Sequence, residues 1–286
     1  MRGGIILQRE FDVAELIPVI REMCIKVNRI LPPDVREAIE EQRKGESFET
    51  AKTVLDDIIE NYHIADETQV PICQDTGLAC VFLDVGQDVH LIGDLEAAIN
   101  EGVRQGYRDG YLRKSVVKDP LRRVNTGDNT PAVIYYRIVP GRQIKLSLAT
   151  KGFGSENMSQ LKMLRPADGI EGVKDFVLKV VQDAGPNACP PIIVGVGIGG
   201  NFDRAAEMAK RCLLRPTGTP NPDPFYADLE AELLNKINQL GIGPMGFGGR
   251  TSCLAVAIDS FPTHIAGLPV AVNIQCHVAR HIEEVI

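Results

Sequence analysis

Between Val13 and Leu31 apolar residues recur at intervals of three and four: Leu16, Ile17, Ile20, Cys24, Val27 and Leu31. That spacing puts them on one face of an α-helix. Pro18 falls early in the pattern and should kink the helix or delay its start. Pro32 and Pro33 end it. A second, charged helix runs from about Asp34 to a cap at Gly45. A third begins near Ser47, a good N-cap, and carries Ala51, Val54, Leu55, Ile58, Ile59 and Tyr62 on one face. Residues 1–64 therefore read as a helical N-terminal segment.

From residue 70 the texture changes to short apolar runs and glycine-rich turns. Cys80–Val85 reads as a strand and Asp94–Gly106 as a helix. Ala132–Val139 and Gln143–Ala149 flank Pro140-Gly141, a hairpin signal. Val173–Val181 has a helical stripe, Ile192–Val196 is a buried strand, and Arg204–Leu214 is a helix. The loop Pro216–Pro224 precedes a helix, Phe225–Leu240, closed by Gly241. Leu254–Asp259 and Pro269–Gln275 are two more strands. The pattern predicts a mixed α/β fold: a helical N-terminal layer packed on a glycine-rich α/β core, residues 65–286, with more than one small sheet.

Composition narrows the function. The 286 residues carry a net charge of −7, which gives no electrostatic reason to bind nucleic acid or an anionic membrane. Apolar residues make up 44%, enough to bury a core. No run approaches the roughly 18 apolar residues of a membrane helix. The N-terminal MRGGIILQREFD is too short and too soon charged for a signal peptide, so a cytoplasmic location is expected.

Gly195, Gly197 and Gly200 satisfy the dinucleotide pattern G-x-G-x-x-G after a strand. The fingerprint also needs an acidic residue about 20 positions on, at the end of a second strand. Here that distance lands in the proline-rich loop at Asp223. A tight strand-to-helix turn is the better reading.

Seven cysteines stand at 24, 73, 80, 189, 212, 253 and 276, with no C-x-x-C pair. Zinc ribbons and ferredoxin-type runs are disfavoured. Cys24 and Cys212 fall on helix faces, and Cys80 and Cys253 lie in or beside apolar strands, so these four read as small hydrophobes. Cys73, Cys189 and Cys276 remain, each at a loop or strand end, about 116 and 87 residues apart. A buried structural thiol is as good a local reading for Cys189 as a metal ligand. Only a folded domain could bring the three together. Three thiolates on a four-iron cluster would leave one iron open to act as a Lewis acid.

Polar and reactive residues crowd around these cysteines. Gln74 and Asp75 follow Cys73, and Asn125–Pro131 is dense in turn-forming side chains. Lys151–Asn157 places a lysine among glycines, and His264 follows Pro262-Thr263. Each segment alone has a plain structural reading.

Taken together, PICQDTG, NTGDNTPA, KGFGSENMSQLKMLRPADG, ACPPIIVGVGIGG and FGGRTSCLAVAIDSFPTHIAGLPVAVNIQCHVAR resemble the α subunit of the iron–sulfur (class I) fumarate hydratase / L-tartrate dehydratase family. The resemblance runs from about residue 10 to 281. It implies a [4Fe-4S] cluster held by Cys73, Cys189 and Cys276, and reversible hydration of fumarate to L-malate or dehydration of L-tartrate. Substrate-binding positions of the family match Gln74, Asp75, Arg113, Gly154 and His264, and Asp75 is the expected acid. Phe153 stands where single-chain relatives have glycine. A separate β subunit, expected in a dimer of heterodimers, would supply the base and further substrate contacts. Fumarate, as the substrate of central metabolism, is favoured over tartrate. A non-catalytic iron–sulfur or regulatory subunit is the alternative of another class; Gln74, Asp75, Arg113 and His264 argue against it.

Overall fold

The computed structural model describes residues 8–286, so residues 1–7, most of the stretch weighed above as a signal peptide, lie outside it. In chain order the elements are β1 (Arg9–Asp12), α1 (Leu16–Arg29), α2 (Pro33–Gly45), α3 (Glu49–Thr68), β2 (Leu78–Gly86), β3 (Val89–Ile92), α4 (Leu95–Asp109), β4 (Val133–Val139), β5 (Ile144–Lys151), α5 (Phe153–Glu156), β6 (Gln160–Leu164), α6 (Gly169–Ala184), β7 (Ile192–Gly199), α7 (Phe202–Cys212), α8 (Pro224–Asn238), β8 (Cys253–Phe261), β9 (Leu268–Gln275) and β10 (His281–Val285). The mixed α/β class is as the pattern predicted. Among the described residues no helix is long and apolar enough to cross a membrane.

The chain forms two compact units. The first holds the chain up to Ile30, Thr68–Lys151 and Arg280–Ile286; the second holds Leu31–Glu67 and Gly152–Ala279.

In the first unit β10, β5, β2 and β4 form one sheet in that order, and β1 and β3 pair in parallel. Residues 9–12 were expected to be helical and are instead this edge ribbon. Val13–Glu15 form a 3₁₀ turn and α1 starts only at Leu16, the delayed start expected from Pro18. Pro18 sits in the first turn, where its missing N–H has no helical acceptor in any case. The expected hairpin of β4 with β5 does not form. β2 runs between them, parallel to β4 and antiparallel to β5. The reason is burial: β2 reads LACVFLDVG and is apolar on both faces, so it needs a partner on each edge. Its end meets the turn itself. A Cβ at Gly86 would lie 2.4 Å from the Gly141 carbonyl oxygen, so only glycine fits. On one face of the sheet α1 and α4 pack together. Gly102 and Gly106 let the helices approach, since a Cβ there would lie 2.7 Å from Ile20 Cβ and 2.6 Å from Cys24 Cβ.

In the second unit the sheet order is β6, β9, β7, β8. Its core joins Val177, Val180 and Val181 of α6, Leu229, Leu233 and Ile237 of α8, and Val194, Val196, Ile258, Val272 and Ile274 of the sheet. Ala51, Leu55, Ile58 and Tyr62 of α3 are buried at helical spacing, as expected. Ser47 does not cap α3. The amides of Ser47 and Phe48 go to the Glu46 carboxylate, at 2.9 and 3.1 Å. That carboxylate also takes the Arg250 amide at 2.8 Å, so a distant loop decides this cap.

The glycine run has a packing role. A Cβ at Gly195 or Gly197 would lie 2.1 Å from the Ala209 or Ala205 carbonyl oxygen, so α7 lies directly on β7. Asn201 then caps α7, accepting from the Arg204 amide at 3.1 Å.

Candidate active site

Four cysteines are packing residues, as expected. Cys24, Cys80, Cys212 and Cys253 are buried. Burial pushes the thiols of Cys24 and Cys253 up to about 12 and raises that of Cys212 as well. A thiol held protonated is a poor ligand. Cys73, Cys189 and Cys276 are partly exposed.

The second unit brings two of these three to one end of its sheet. Cys189 ends the turn ahead of β7, and Cys276 follows β9. Because β7 and β9 are antiparallel, the start of one lies beside the end of the other, with Ile193 opposite Gln275. The Cys189 carbonyl accepts the His277 amide at 3.3 Å, and the ring Nδ1 of His277 lies 3.0 Å from the same oxygen. Gln275 Nε2 donates to the Val278 carbonyl at 3.1 Å and shapes the turn that presents Cys276. Cys189 is left-handed (φ 53°, ψ 64°), a conformation that costs a residue with a side chain roughly 1–2 kcal/mol. Gly154, in α5, joins this end. A Cβ there would lie 3.6 Å from the Asn187 carbonyl oxygen. The α5 segment is tied to β9, since Asn273 Nδ2 donates to Glu156 Oε2 and Ser159 Oγ, each at 3.0 Å.

His264 stands elsewhere. It follows β8, whose last residue, Phe261, pairs with Gly199, and Thr263 Oγ1 donates to the Gly200 carbonyl at 2.8 Å. Seven strand residues at roughly 3.3 Å each therefore separate it from the Cys276 end of the sheet. Its ring is exposed, and Nδ1 accepts the Ala266 amide at 3.1 Å.

The first unit carries Cys73, Gln74, Asp75 and Arg113. Gln74 and Arg113 are exposed; Cys73 and Asp75 are half-buried. The Cys73–Gly77 loop is fastened along its length. The Ile72 amide donates to the Asn28 carbonyl at 2.9 Å, and the Gly77 amide to Asp75 Oδ1 at 3.0 Å. The Thr76 hydroxyl donates to the Arg113 carbonyl at 2.9 Å, which sets Arg113 beside this loop. The buried Tyr107 hydroxyl lies 2.8 Å from the carbonyl oxygens of both Thr76 and Gly77. Arg280 Nη2 donates to the Asp75 carbonyl at 2.8 Å and Nη1 to Asn28 Oδ1 at 2.9 Å.

Asn125–Pro131 supports rather than reacts. Asn129 Oδ1 accepts the Ser115 and Val116 amides at 2.6 and 3.1 Å, and Asn129 Nδ2 donates to the Gly77 carbonyl at 3.2 Å. Burial alone would raise Asp128. The Thr130 amide and hydroxyl and the Arg104 guanidinium outweigh it and bring the carboxyl down to about 2.

Sequence reasoning passed over Asn28, Tyr107 and Arg280. Asn28 had a local signal. It continues the apolar series Ile20, Cys24 at helical spacing, so a polar side chain there is aimed inward. The others gave none, because their partners lie far away in the chain.

Among the described residues no three or more His, Cys, Asp or Glu side chains are grouped so as to hold a metal ion. The partly exposed thiols of Cys189 and Cys276, at the same end of the sheet, do suit iron–sulfur ligation in their chemistry, as does the loop thiol of Cys73 in the first unit.

A family model described as fumarate hydratase (Fumerase) matches residues 17–285. A putative L(+)-tartrate dehydratase subunit alpha of Methanocaldococcus jannaschii is 47% identical over 272 residues, covering 93% of this chain and 94% of its own length. The L(+)-tartrate dehydratase subunit alpha of Escherichia coli strain K12 is 31% identical over 272 residues, 94% of this chain and 89% of its own.

Proposed function

Because the chain belongs to the fumarate hydratase (Fumerase) family, we propose that it is the α subunit of a hydro-lyase that adds water to fumarate, giving L-malate, and runs the reverse dehydration. The observation that carries this reading is the bond of the Cys189 carbonyl to His277, the residue after Cys276, which puts both cysteines at one end of the β7–β9 pair. With Cys73 they would hold a [4Fe-4S] cluster, whose open iron supplies Lewis-acid activation of a carboxylate and the adjacent hydroxyl.

The remaining steps fall to side chains. Asp75 protonates the departing hydroxide in dehydration and takes the proton of water in hydration. Its loop is tied down at Ile72, Asp75, Thr76 and Gly77, so the carboxyl is positioned before substrate arrives. Arg113 is exposed on the adjoining segment and is the cation for a substrate carboxylate. Gln74 and the Gly154 segment add polar contacts. His264 is a further substrate contact in this reading; within the chain it stands beyond the end of β7 opposite to Cys189 and Cys276. The base at C3 comes from a separate β chain, in keeping with relatives named as subunit alpha.

The test is anaerobic reconstitution with iron and sulfide, with and without a candidate β chain, assayed on fumarate, L-malate and L(+)-tartrate. Fumarate turnover that needs iron and both chains is expected. Iron-independent turnover, or a cluster-loaded complex inert on all three acids, would overturn the proposal. The second reading, L-tartrate as substrate, is favoured by the names of the relatives. Preferential turnover of tartrate by the complex would select it.

A further inference from the structure

Arg280 is 3% exposed, yet among the described residues its guanidinium forms no salt bridge with a carboxylate. Its hydrogen bonds go to neutral acceptors, the Asp75 carbonyl at 2.8 Å and Asn28 Oδ1 at 2.9 Å. Its Nε is buried without a hydrogen-bond partner. A buried cation is costly unless an anion accompanies it, and a buried N–H left unmade adds to that cost. Asn28 could have been a counter-ion as aspartate but is an amide, and its own Nδ2 is committed to the Cys24 carbonyl at 2.9 Å. Among the described residues no carboxylate oxygen is hydrogen-bonded to this positive charge. The charge is held against the loop that carries Cys73 and Asp75, and it stands four residues beyond Cys276 in sequence.

We propose that Arg280 is the buried counter-charge of the anionic site bordered by the Cys73–Asp75 loop, and that it positions this loop through the Asp75 carbonyl. The inference rests on the functional reading above, in which the site gathers thiolates and a dicarboxylate, all negatively charged. The arginine does not touch substrate in this role. It balances charge and fixes where Asp75 stands. Lysine keeps the charge but cannot span both acceptors with a planar fork.

The experiment compares the α–β complex carrying wild-type α, Arg280→Lys and Arg280→Met. Each is prepared anaerobically in apo and iron–sulfur-loaded form, and thermal midpoints, kcat and KM are measured. Loading should raise the midpoint of the wild type most, of Arg280→Lys less, and of Arg280→Met least, by at least about 3 °C below the wild-type gain. Apo Arg280→Met should melt no lower than the apo wild type. Its kcat should fall by more than about tenfold with KM within about threefold, as expected for a displaced acid. Should Arg280→Met fail to fold, Asn28→Asp keeps the arginine and supplies a carboxylate beside Nη1. Its loading gain should then also shrink. Equal loading gains in the variants and the wild type would refute the role of Arg280 alone. A wild-type complex that takes up no iron would refute the functional reading.

Discussion

Cys189 and His277 are joined at one atom. The Cys189 carbonyl oxygen lies 3.3 Å from the His277 amide nitrogen and 3.0 Å from its ring Nδ1. Eighty-eight positions separate the two residues in sequence. The contact holds the turn before β7 against the turn after β9, and with them the two thiols that stand at these turns. His277 thus supports the turns that carry the candidate ligands.

Replacing His277 with alanine should loosen that support. Removing such a supporting contact typically costs about 10–100-fold in metal affinity. Iron retained after anaerobic desalting should fall accordingly, while Cys189→Ser and Cys276→Ser should retain almost none. Circular dichroism should report the same fold in all three. Wild-type iron retention in His277→Ala would remove the residue from this role.

Asp75→Asn should leave cluster absorbance intact and lower turnover by roughly two to four orders of magnitude, the usual worth of a positioned acid or base. The amide can still accept from the Gly77 amide, so the loop should keep its shape. Steady-state kinetics on the assembled complex decide the matter, and turnover within threefold of wild type would take Asp75 out of the mechanism.

Gly197→Ala should destabilise the chain by more than about 3 kcal/mol, the upper part of the range for overpacking. The added Cβ would fall 2.1 Å from the Ala205 carbonyl oxygen, and a helix backbone cannot swing aside as a side chain can. Urea unfolding measures the loss. A dinucleotide added to the wild type should not raise its thermal midpoint, because the backbone of α7 occupies the space over these glycines. A clear rise with NAD would revive the dinucleotide reading.

Acid should weaken the first unit through Asp128. Its carboxyl titrates at about 2 in the fold and near 3.9 in an unfolded chain. The folded value is depressed, so this contribution is fully present above about pH 4 and is lost as pH falls toward 2. Between those limits the unfolded chain binds more protons, and stability must fall with pH. In Asp128→Asn that part of the pH slope should disappear. Unfolding free energies at pH 3 and pH 5 provide the check, and an unchanged slope would count against the assignment.

Local pattern was enough for most elements. Apolar spacing located α1, α3 and α6, because a helix answers to residues three and four apart. The mixed α/β class followed from the same periodicities. Sorting the cysteines by local context also picked out the three partly exposed ones from the four buried ones.

Pairing across distance was another matter. Nothing in Ala132–Ala149 announces that β2 runs between its two strands, since the hairpin signal at Pro140-Gly141 is real as a turn and silent about neighbours. The burial of β2 on both faces settled it. Likewise the sequence by itself marked Cys189, Cys276 and His264 as reactive types in loops. Only the antiparallel run of β9 beside β7 set the two cysteines at one end of the sheet and the histidine at the other. Strand order and direction come from contacts between segments tens to hundreds of residues apart, and those energies depend on the folded neighbours rather than on any short window of the chain.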